Sequence, residues 1–207
     1  MHIYREYPMK KILILFAHPR FEKSRANRKL LAGIEGLPGV ALNDLYEQYP
    51  DFNIDVEREK TLLTEHDVVI WHYPFYMYSA PAMIKQWVDQ VLEYGWAHGK
   101  AGNALKDKLI FNTLTAGGTR QVYLPDAHNN FTIRQFLLPF EQTANLCKMI
   151  YLPPFVVHGT HLLSDEALAE YARLYRLLLT RLSNDDLHSE TVRQHEYLND
   201  WLLTNKE

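Results

Sequence analysis

The heptapeptide Lys11–Ala17, KILILFA, has no polar residue after its first position. A strand with one wet face alternates apolar and polar side chains, whereas a run without alternation has to be covered on both faces. Similar runs recur at Asp67–His72 (DVVIWH), at Lys108–Leu114 (KLIFNTL) and at Phe155–Val157, with Val40–Leu45 as a shorter second strand. Strands of this kind belong inside a sheet that carries helices above and below it.

The segments between them carry helical signals. Ser24–Ile34 reads as a helix with Ser24 as its N-cap. Asp55–Glu65 reads as a charged, exposed helix, with Asp51, Asp55, Glu57 and Glu59 as a solvated face around its start. Pro81 opens a helix at the first position, where a missing N–H costs nothing. Within it Met83, Ile84, Trp87, Val88, Val91 and Leu92 recur at helical spacing. Thr132–Cys147 is helical except for a break or kink at Pro139. Ser164, Asp165 and Glu166 open a long amphipathic helix that runs to Leu182. Ser183–Asp186 is a linker, and His188–Leu203 a last helix with Val192, Tyr197, Leu198, Trp201 and Leu202 as its apolar positions.

Five buried strands alternating with helices predict an α/β architecture: a doubly wound, five-stranded parallel sheet with helices on both faces. Such a sheet binds ligands beyond the carboxyl ends of its strands, where the strand order reverses. That rule selects the loops after strands one, three and four.

Composition narrows the function classes. The 207 residues suffice for one domain with a full core. A net charge of −3 gives no basic field for nucleic acid. The single cysteine, Cys147, excludes an internal disulfide and a cysteine-based zinc site, and reads as a small core residue. No apolar run approaches the roughly 18 residues of a membrane span. Met1–Pro8 is polar and too short for a signal peptide, and Met9 is a candidate alternative start. The expected organisation is an extension over residues 1–8, a main domain over 9–182 and a helical extension over 183–207.

Each selected loop has a ligand reading and a plain one. After strand one, Ala17-His18-Pro19-Arg20 leads to Ser24-Arg25-Ala26-Asn27 at a helix start, where free N–H groups and the helix dipole favour an anion such as phosphate. The plain reading makes Ser24 an N-cap and His18 a strand-end residue. After strand three, the aromatic stretch Phe75-Tyr76-Met77-Tyr78 lies in a loop between Pro74 and Pro81 and follows neither helix nor strand period. It is either a rigid wall for a planar ring or a hydrophobic plug or subunit contact. After strand four comes Thr115-Ala116-Gly117-Gly118, where a glycine pair permits close backbone approach and positive φ, or simply makes a turn. Tyr123 and His128 beyond it add a phenol and an imidazole able to stabilise a developing negative charge. His158 and His161 lie close together but lack a third ligand at metal spacing, and no metal is expected.

These pieces together resemble a known family. They are Phe16-Ala17-His18-Pro19, Ser24-Arg25-Ala26-Asn27, Leu45 to Asp55 (LYEQYPDFNID), Tyr73-Pro74 to Tyr78, Trp87 to Leu92 (WVDQVL), Gly95-Trp96-Ala97 and Thr115-Ala116-Gly117-Gly118. The chain is similar to flavodoxin-fold NAD(P)H:quinone oxidoreductases, and within them to the KefF/KefG ancillary proteins of glutathione-regulated potassium-efflux systems. The resemblance runs from about Lys10 to Leu182. It implies the flavodoxin-like strand order 2-1-3-4-5 and a non-covalent FMN. His18, Ser24, Arg25, Ala26 and Asn27 then take the phosphate and ribityl end. Pro74, Phe75, Tyr76, Met77 and Tyr78 run along the isoalloxazine, and Thr115, Ala116, Gly117 and Gly118 close on its pyrimidine edge. Tyr123 and His128 fall at the family's catalytic Tyr and His, the latter if the intervening loop is one residue shorter here.

The implied activity is ping-pong, two-electron hydride transfer from NAD(P)H through FMN to a quinone-type acceptor. The family also implies a homodimer with shared active sites, to which the Trp96 segment and the post-glycine loop contribute, in the cytoplasm or peripherally on the cytoplasmic side of the inner membrane. An alternative is a regulatory ancillary subunit of a potassium-efflux antiporter, with redox activity secondary. Two departures stand out: Ala116 replaces the commoner second Thr, and Tyr76 and Met77 replace a frequent Gln and Trp. A phosphoacceptor receiver domain is excluded because strand one ends in Ala17-His18-Pro19 and strand three in His72-Tyr73-Pro74, not in carboxylates. A one-electron flavodoxin is disfavoured by the absence of a hydroxyl-rich phosphate loop and of a strongly acidic surface.

Overall fold

A computed structural model describes residues 9–187 and 189–205. The N-terminal extension, and His188 as the start of the last helix, therefore lie outside the described residues. The strands are β1 (Ile12–Phe16), β2 (Val40–Asp44), β3 (Val68–Pro74), β4 (Leu109–Thr115), β5 (Ile150–Tyr151) and β6 (Phe155–Val157). The helices are α1 (Arg25–Ile34), α2 (Leu45–Gln48), α3 (Val56–Glu65), α4 (Ala82–Val91), α5 (Ile133–Phe136), α6 (Leu138–Leu146), α7 (Asp165–Ser183), α8 (Ser189–Val192) and α9 (Leu198–Thr204).

The pairings between these strands are parallel, in the order β2-β1-β3-β4-β5, with β6 also on β4. The expected fifth strand is thus divided. Ile150–Tyr151 pairs with Leu109–Ile110, Phe155–Val157 with Thr113–Thr115, and Pro153-Pro154 between them supply no N–H for the ladder. The sheet divides the core into two layers because successive side chains point to opposite faces. Ile12, Ile14 and Phe16 pack with Ala26, Leu30 and Ile34 of α1 and with Tyr175, Leu178 and Leu179 of α7. Leu13, Leu15 and Ala17 pack with Leu63 of α3 and Met83, Ile84, Trp87 and Val91 of α4. Register sets up the site. Phe16, the end of β1, pairs with His72, while β3 and β4 run on together to Pro74 and Thr115. The two central strands therefore overhang β1 by two residues at the switch between β1 and β3.

Some elements differ from the sequence expectation. Pro81 is the N-cap of α4, which begins at Ala82. Pro139 falls within the first turn of α6, so the expected break appears as the α5–α6 junction at Leu137. The expected last helix is two short ones, α8 and α9, yet Val192, Tyr197, Leu198, Trp201 and Leu202 are all buried as its apolar set. The tail packs on the body: the Leu198 N–H donates to the Pro154 carbonyl at 2.9 Å, and the Asn199 amide pairs with both backbone groups of Val156 at 2.8 and 3.1 Å. It thereby covers the exposed side of β6, which would otherwise offer an unpaired sheet edge.

The largest departure is Glu59. It is not part of a solvated face but is fully buried. Its carboxylate accepts from Asn43 Nδ2 at 3.0 and 2.9 Å, the Tyr49 hydroxyl at 2.7 Å, Arg58 Nη1 at 2.6 Å and Trp87 Nε1 at 2.8 Å. This one group ties β2, α2's C-terminal flank, α3 and α4 together. A buried carboxylate is tolerated only when its acceptor sites are filled. Glu59→Ala strands those donors in the interior and should lower unfolding free energy by about 3–5 kcal/mol, whereas Glu59→Gln keeps an acceptor and should lose less. Urea denaturation of the two variants beside the native chain measures the difference.

Candidate active site

A cavity of about 990 Å³ opens beyond the carboxyl ends of β1, β3 and β4. It is lined by His18, Arg20, Lys23, Ser24, Arg25, Ala26 and Asn27 at one end, Pro74 to Tyr78 along one side, and Thr115, Gly117, Gly118, Tyr123 and His128 at the other end. The three loops selected by the sheet rule thus converge on one space.

The first end is built for an anion. Ser24 caps α1, with its Oγ accepting from the Asn27 N–H at 3.2 Å and from Asn27 Nδ2 at 2.9 Å. Both acceptor positions of the hydroxyl are occupied, so its own hydrogen is free to donate outward. The N–H groups of Arg25 and Ala26 belong to the first turn and have no intrahelical acceptor. His18 Nδ1 accepts the Arg20 N–H at 3.0 Å, which leaves the ring proton on Nε2. Burial lowers the His18 pKa, keeping the ring neutral, a hydrogen-bond donor rather than a cation. Arg20 and Lys23 supply positive charge, and no carboxylate occurs among the lining residues. Arg25 turns its guanidinium aside to Asp165 at 2.6 Å, so its backbone faces the ligand end better than its side chain does.

Asn27 holds the end together and has little left to offer a ligand. Its Nδ2 also donates to Thr115 Oγ1 at 3.0 Å, and its Oδ1 lies 3.0 Å from His72 Nε2. Because Oδ1 accepts, His72 carries its hydrogen on Nε2, and Nδ1 takes the Tyr175 hydroxyl at 3.3 Å. The Asn27 side chain, expected at the phosphate and ribityl end, is thus engaged by Ser24, Thr115 and His72.

The aromatic side is a tight turn. Tyr76 and Ser79 form an antiparallel bridge, closed by the Ser79 N–H on the Tyr76 carbonyl at 2.9 Å. Met77 and Tyr78, the central residues, have φ of 44° and 67°. Consecutive positive φ values normally take Asn-Gly or similar pairs; side-chain-bearing residues held there cost of order 1 kcal/mol or more each. The turn leaves Met77 88% exposed at the cavity rim. Tyr78 stacks on Phe136 with centroids 5.0 Å apart, and Phe75 meets Tyr123 at 5.9 Å. The loop both lines the cavity and belongs to a local aromatic cluster.

The glycine wall works through space rather than through unusual backbone. Neither Gly117 nor Gly118 has positive φ. A Cβ on Gly117 would stand 3.0 Å from the His161 ring, and one on Gly118 would stand 2.8 Å from Val122 and 3.0 Å from the Tyr123 ring. Ala116 is fully buried, belongs to the core and does not line the cavity. The missing hydroxyl of this position therefore concerns packing, not the ligand wall. Backbone bonds from Gly159 to Gly118 at 2.9 Å and from Thr160 to Ala116 at 3.1 Å fasten the wall to the loop after β6. That loop brings in Thr160 and His161, while Val122 and Asn129 complete the wall. Sequence reasoning missed these four as site residues; the carboxyl end of the fifth strand was the one signal available for the first two. Tyr123 is 7% exposed and burial raises its pKa, so its hydroxyl stays protonated at neutral pH. His128 lines the cavity from an exposed loop position.

Two histidines are buried behind the cavity. Burial pushes the His72 imidazole down to about 3 and the His158 imidazole down to about 4, from an ordinary 6.5. Unfolding frees both to bind protons below 6.5, so the native state has its full advantage above that pH and loses it as the pH falls toward 4 and 3. Each ring should contribute a slope of about 1.4 kcal/mol per pH unit within that window. The thermal midpoint should therefore fall steadily from pH 6.5 to 4.5, and His72→Gln should flatten the profile. A flat native profile would contradict the neutral state of both rings.

The relationships of the chain agree with this architecture. It is 43% identical over 165 residues to the glutathione-regulated potassium-efflux system ancillary protein KefG of Pectobacterium carotovorum, covering 80% of this chain and 90% of that protein. Among solved structures, the general stress protein 14 of Treponema denticola in complex with FMN superposes with a TM-score of 0.79 at 34% identity, covering 83% of this chain and 99% of that one. An NADPH-quinone reductase from P. pentosaceus gives a TM-score of 0.75 at 32% identity, covering 82% and 97%. With the family pattern matched over residues 10–179 and the sheet order and cavity as described, the chain belongs to the flavodoxin-like fold family.

Proposed function

We propose that the chain is an FMN-dependent NAD(P)H:quinone oxidoreductase. The observation that carries this reading is the order of chemistry along one cavity: an anion end, an aromatic side and a glycine wall with hydrogen-bond donors beyond it. The residues fit FMN. The Ser24 hydroxyl, the Arg25 and Ala26 N–H groups, His18, Arg20 and Lys23 would hold its phosphate. Phe75, Tyr76, Met77 and Tyr78 would flank its ring, and Thr115, Gly117 and Gly118 would meet its pyrimidine edge. The cavity, about 990 Å³, lies at the upper end of the usual 300–1,000 Å³ for cofactor sites, which suits a cofactor with a second planar molecule beside it. When bound, FMN supplies two-electron chemistry, taking a hydride from NAD(P)H and giving it to a quinone-type acceptor.

The chain's own residues bind, orient and stabilise charge. The Tyr123 hydroxyl, neutral and beside Gly118, is a preorganised donor for negative charge at that wall, and His128 approaches the cavity from the same loop. Leu124 and Phe131, exposed in the segment that follows the glycine pair, suit burial against a second copy in the homodimer this reading includes.

The purified protein should show the visible absorption of bound flavin, or take up added FMN, and should bleach with NAD(P)H; a colourless protein that takes up no FMN would sink the reading. Tyr123→Phe and His128→Ala should each keep FMN and lower turnover on the order of 10²-fold, read by stopped-flow flavin reduction. A single cavity serving both substrates in turn should give parallel double-reciprocal plots, and intersecting lines would count against shared occupancy.

A second reading follows from the KefG relatives: an ancillary subunit that regulates a potassium-efflux antiporter at the membrane, with redox activity secondary. None of the described helices is long and apolar enough to cross a membrane, so such an association would be peripheral. Co-purification with the antiporter, and potassium flux with and without the chain, separate this reading from a free-standing enzyme.

A further inference from the structure

The C-terminal segment, beyond the region matched to the family, reaches the back of the glycine wall. Arg120 stands two residues after Gly118, at the start of the Arg120–Tyr123 turn. Its guanidinium donates to both oxygens of Asp200, at 2.7 and 2.8 Å, and to Glu196 at 2.6 Å. It also lies 4.5 Å from the Tyr197 ring centroid. A fork-to-fork pair is stronger and more directional than a single ion pair, and this one has a second carboxylate and an aromatic face around it. Tyr197 is buried, its ring 5.4 Å from His158, and the His158 ring lies 5.7 Å from Tyr123. Contact is therefore continuous from the tail to the residue that faces the cavity beside Gly118.

Covering the sheet edge does not account for this arrangement. Leu198 and Asn199 already do so through their bonds to Pro154 and Val156. They do not require two carboxylates to converge on a residue of the glycine wall. Nor do they explain why His158 is buried between Tyr197 and Tyr123. Packed against both rings in a tight interior, it couples the position of one to that of the other.

We infer that Glu196–Asp200 is a positioning element of the active site: through Arg120 and the Tyr197–His158 contact it fixes the Tyr123 hydroxyl and the Gly117–Gly118 wall. Its catalytic consequence rests on the flavin reading above; its mechanical consequence does not. The carboxylates act on Arg120, Arg120 sets the turn that carries Tyr123, and the tail touches no ligand itself.

The test uses the full chain with Asp200→Asn and, separately, Glu196→Gln, which are close in shape to the native residues. Lys85→Ala, which removes the exposed pair with Asp89 on α4, is the control. Amide hydrogen exchange over residues 117–123 should speed up roughly tenfold in both tail variants, as expected for losing a charged hydrogen bond. FMN Kd, from fluorescence titration of the apoprotein, should rise about tenfold, and kcat should fall on the order of 10- to 100-fold with KM for NAD(P)H unchanged. The control should match the native chain in all three. Unchanged exchange over 117–123 in both tail variants, with only a lower melting temperature, would overturn the inference and leave the tail as an edge cover. If the native protein takes up no FMN, the oxidoreductase reading fails; faster exchange in Asp200→Asn would still uphold the positioning role.

Discussion

The site depends on one side chain amide. Asn27 bonds to Ser24 of the first loop, to Thr115 at the end of β4 and to His72 near the end of β3. The loops concerned are separated by tens of residues in the chain, and backbone register alone aligns only the strands that carry them. Asn27 converts that register into a fixed spacing between the anion end and the glycine wall. Its geometry also decides proton positions: the Ser24 hydrogen is directed outward, and the His72 hydrogen is placed on Nε2. Removing one member of such a buried network leaves the others unsatisfied, so its members act as a unit.

The overhang of β3 and β4 past β1 supplies the floor that this amide braces. Phe75 donates its N–H to the Thr115 carbonyl at 2.9 Å, which carries the β3–β4 pairing into the aromatic loop. The strained Met77–Tyr78 turn is thus held at both bases, by sheet bonding on one side and by the Tyr78–Phe136 stack on the other. Local strain of this kind persists only where surrounding contacts over-determine it. It places an exposed thioether and two phenols at the rim of a cavity, where a relaxed type I′ turn with Asn-Gly would place almost nothing.

What was legible in the sequence follows from what periodicity reports. Runs such as KILILFA and DVVIWH announce burial on both faces, and the sheet rule then selects three loops without any knowledge of contacts. Periodicity is silent on partners. Glu59 sits among Asp55, Glu57 and Arg58 and looks solvated, because nothing local shows that Asn43, Tyr49 and Trp87 converge on it. The same blindness applies to Asn27, whose side chain looks like a ligand donor until His72 and Thr115 are seen to occupy it. The glycine pair was legible as a close approach, but the reason differs: the crowding comes from Val122, Tyr123 and His161, and no positive φ is involved. Thr160 and His161 were not read as site residues, His161 having been weighed only as a metal ligand, because the short β6, interrupted upstream by Pro153-Pro154, gives a weak strand signal just before them.

The tail shows how an addition to a fold comes within reach of a cavity built by other elements. An open sheet ends in an edge strand, and β6 is too short to shield itself. Any segment that covers it must run close to the carboxyl end of β4, because β6 pairs with Thr113–Thr115. Gly117 of the glycine wall lies two residues beyond Thr115. A tail docked for edge protection is therefore brought within reach of Arg120 by topology, and two acidic side chains, Glu196 just ahead of α9 and Asp200 in its first turn, suffice to grip it. The edge bonds of Leu198 and Asn199 fix the tail's register; that register aims the carboxylates at the wall. Stability and site geometry are in this way set by the same few contacts, and a change at Asn199 would act on the cavity through Arg120 without touching it.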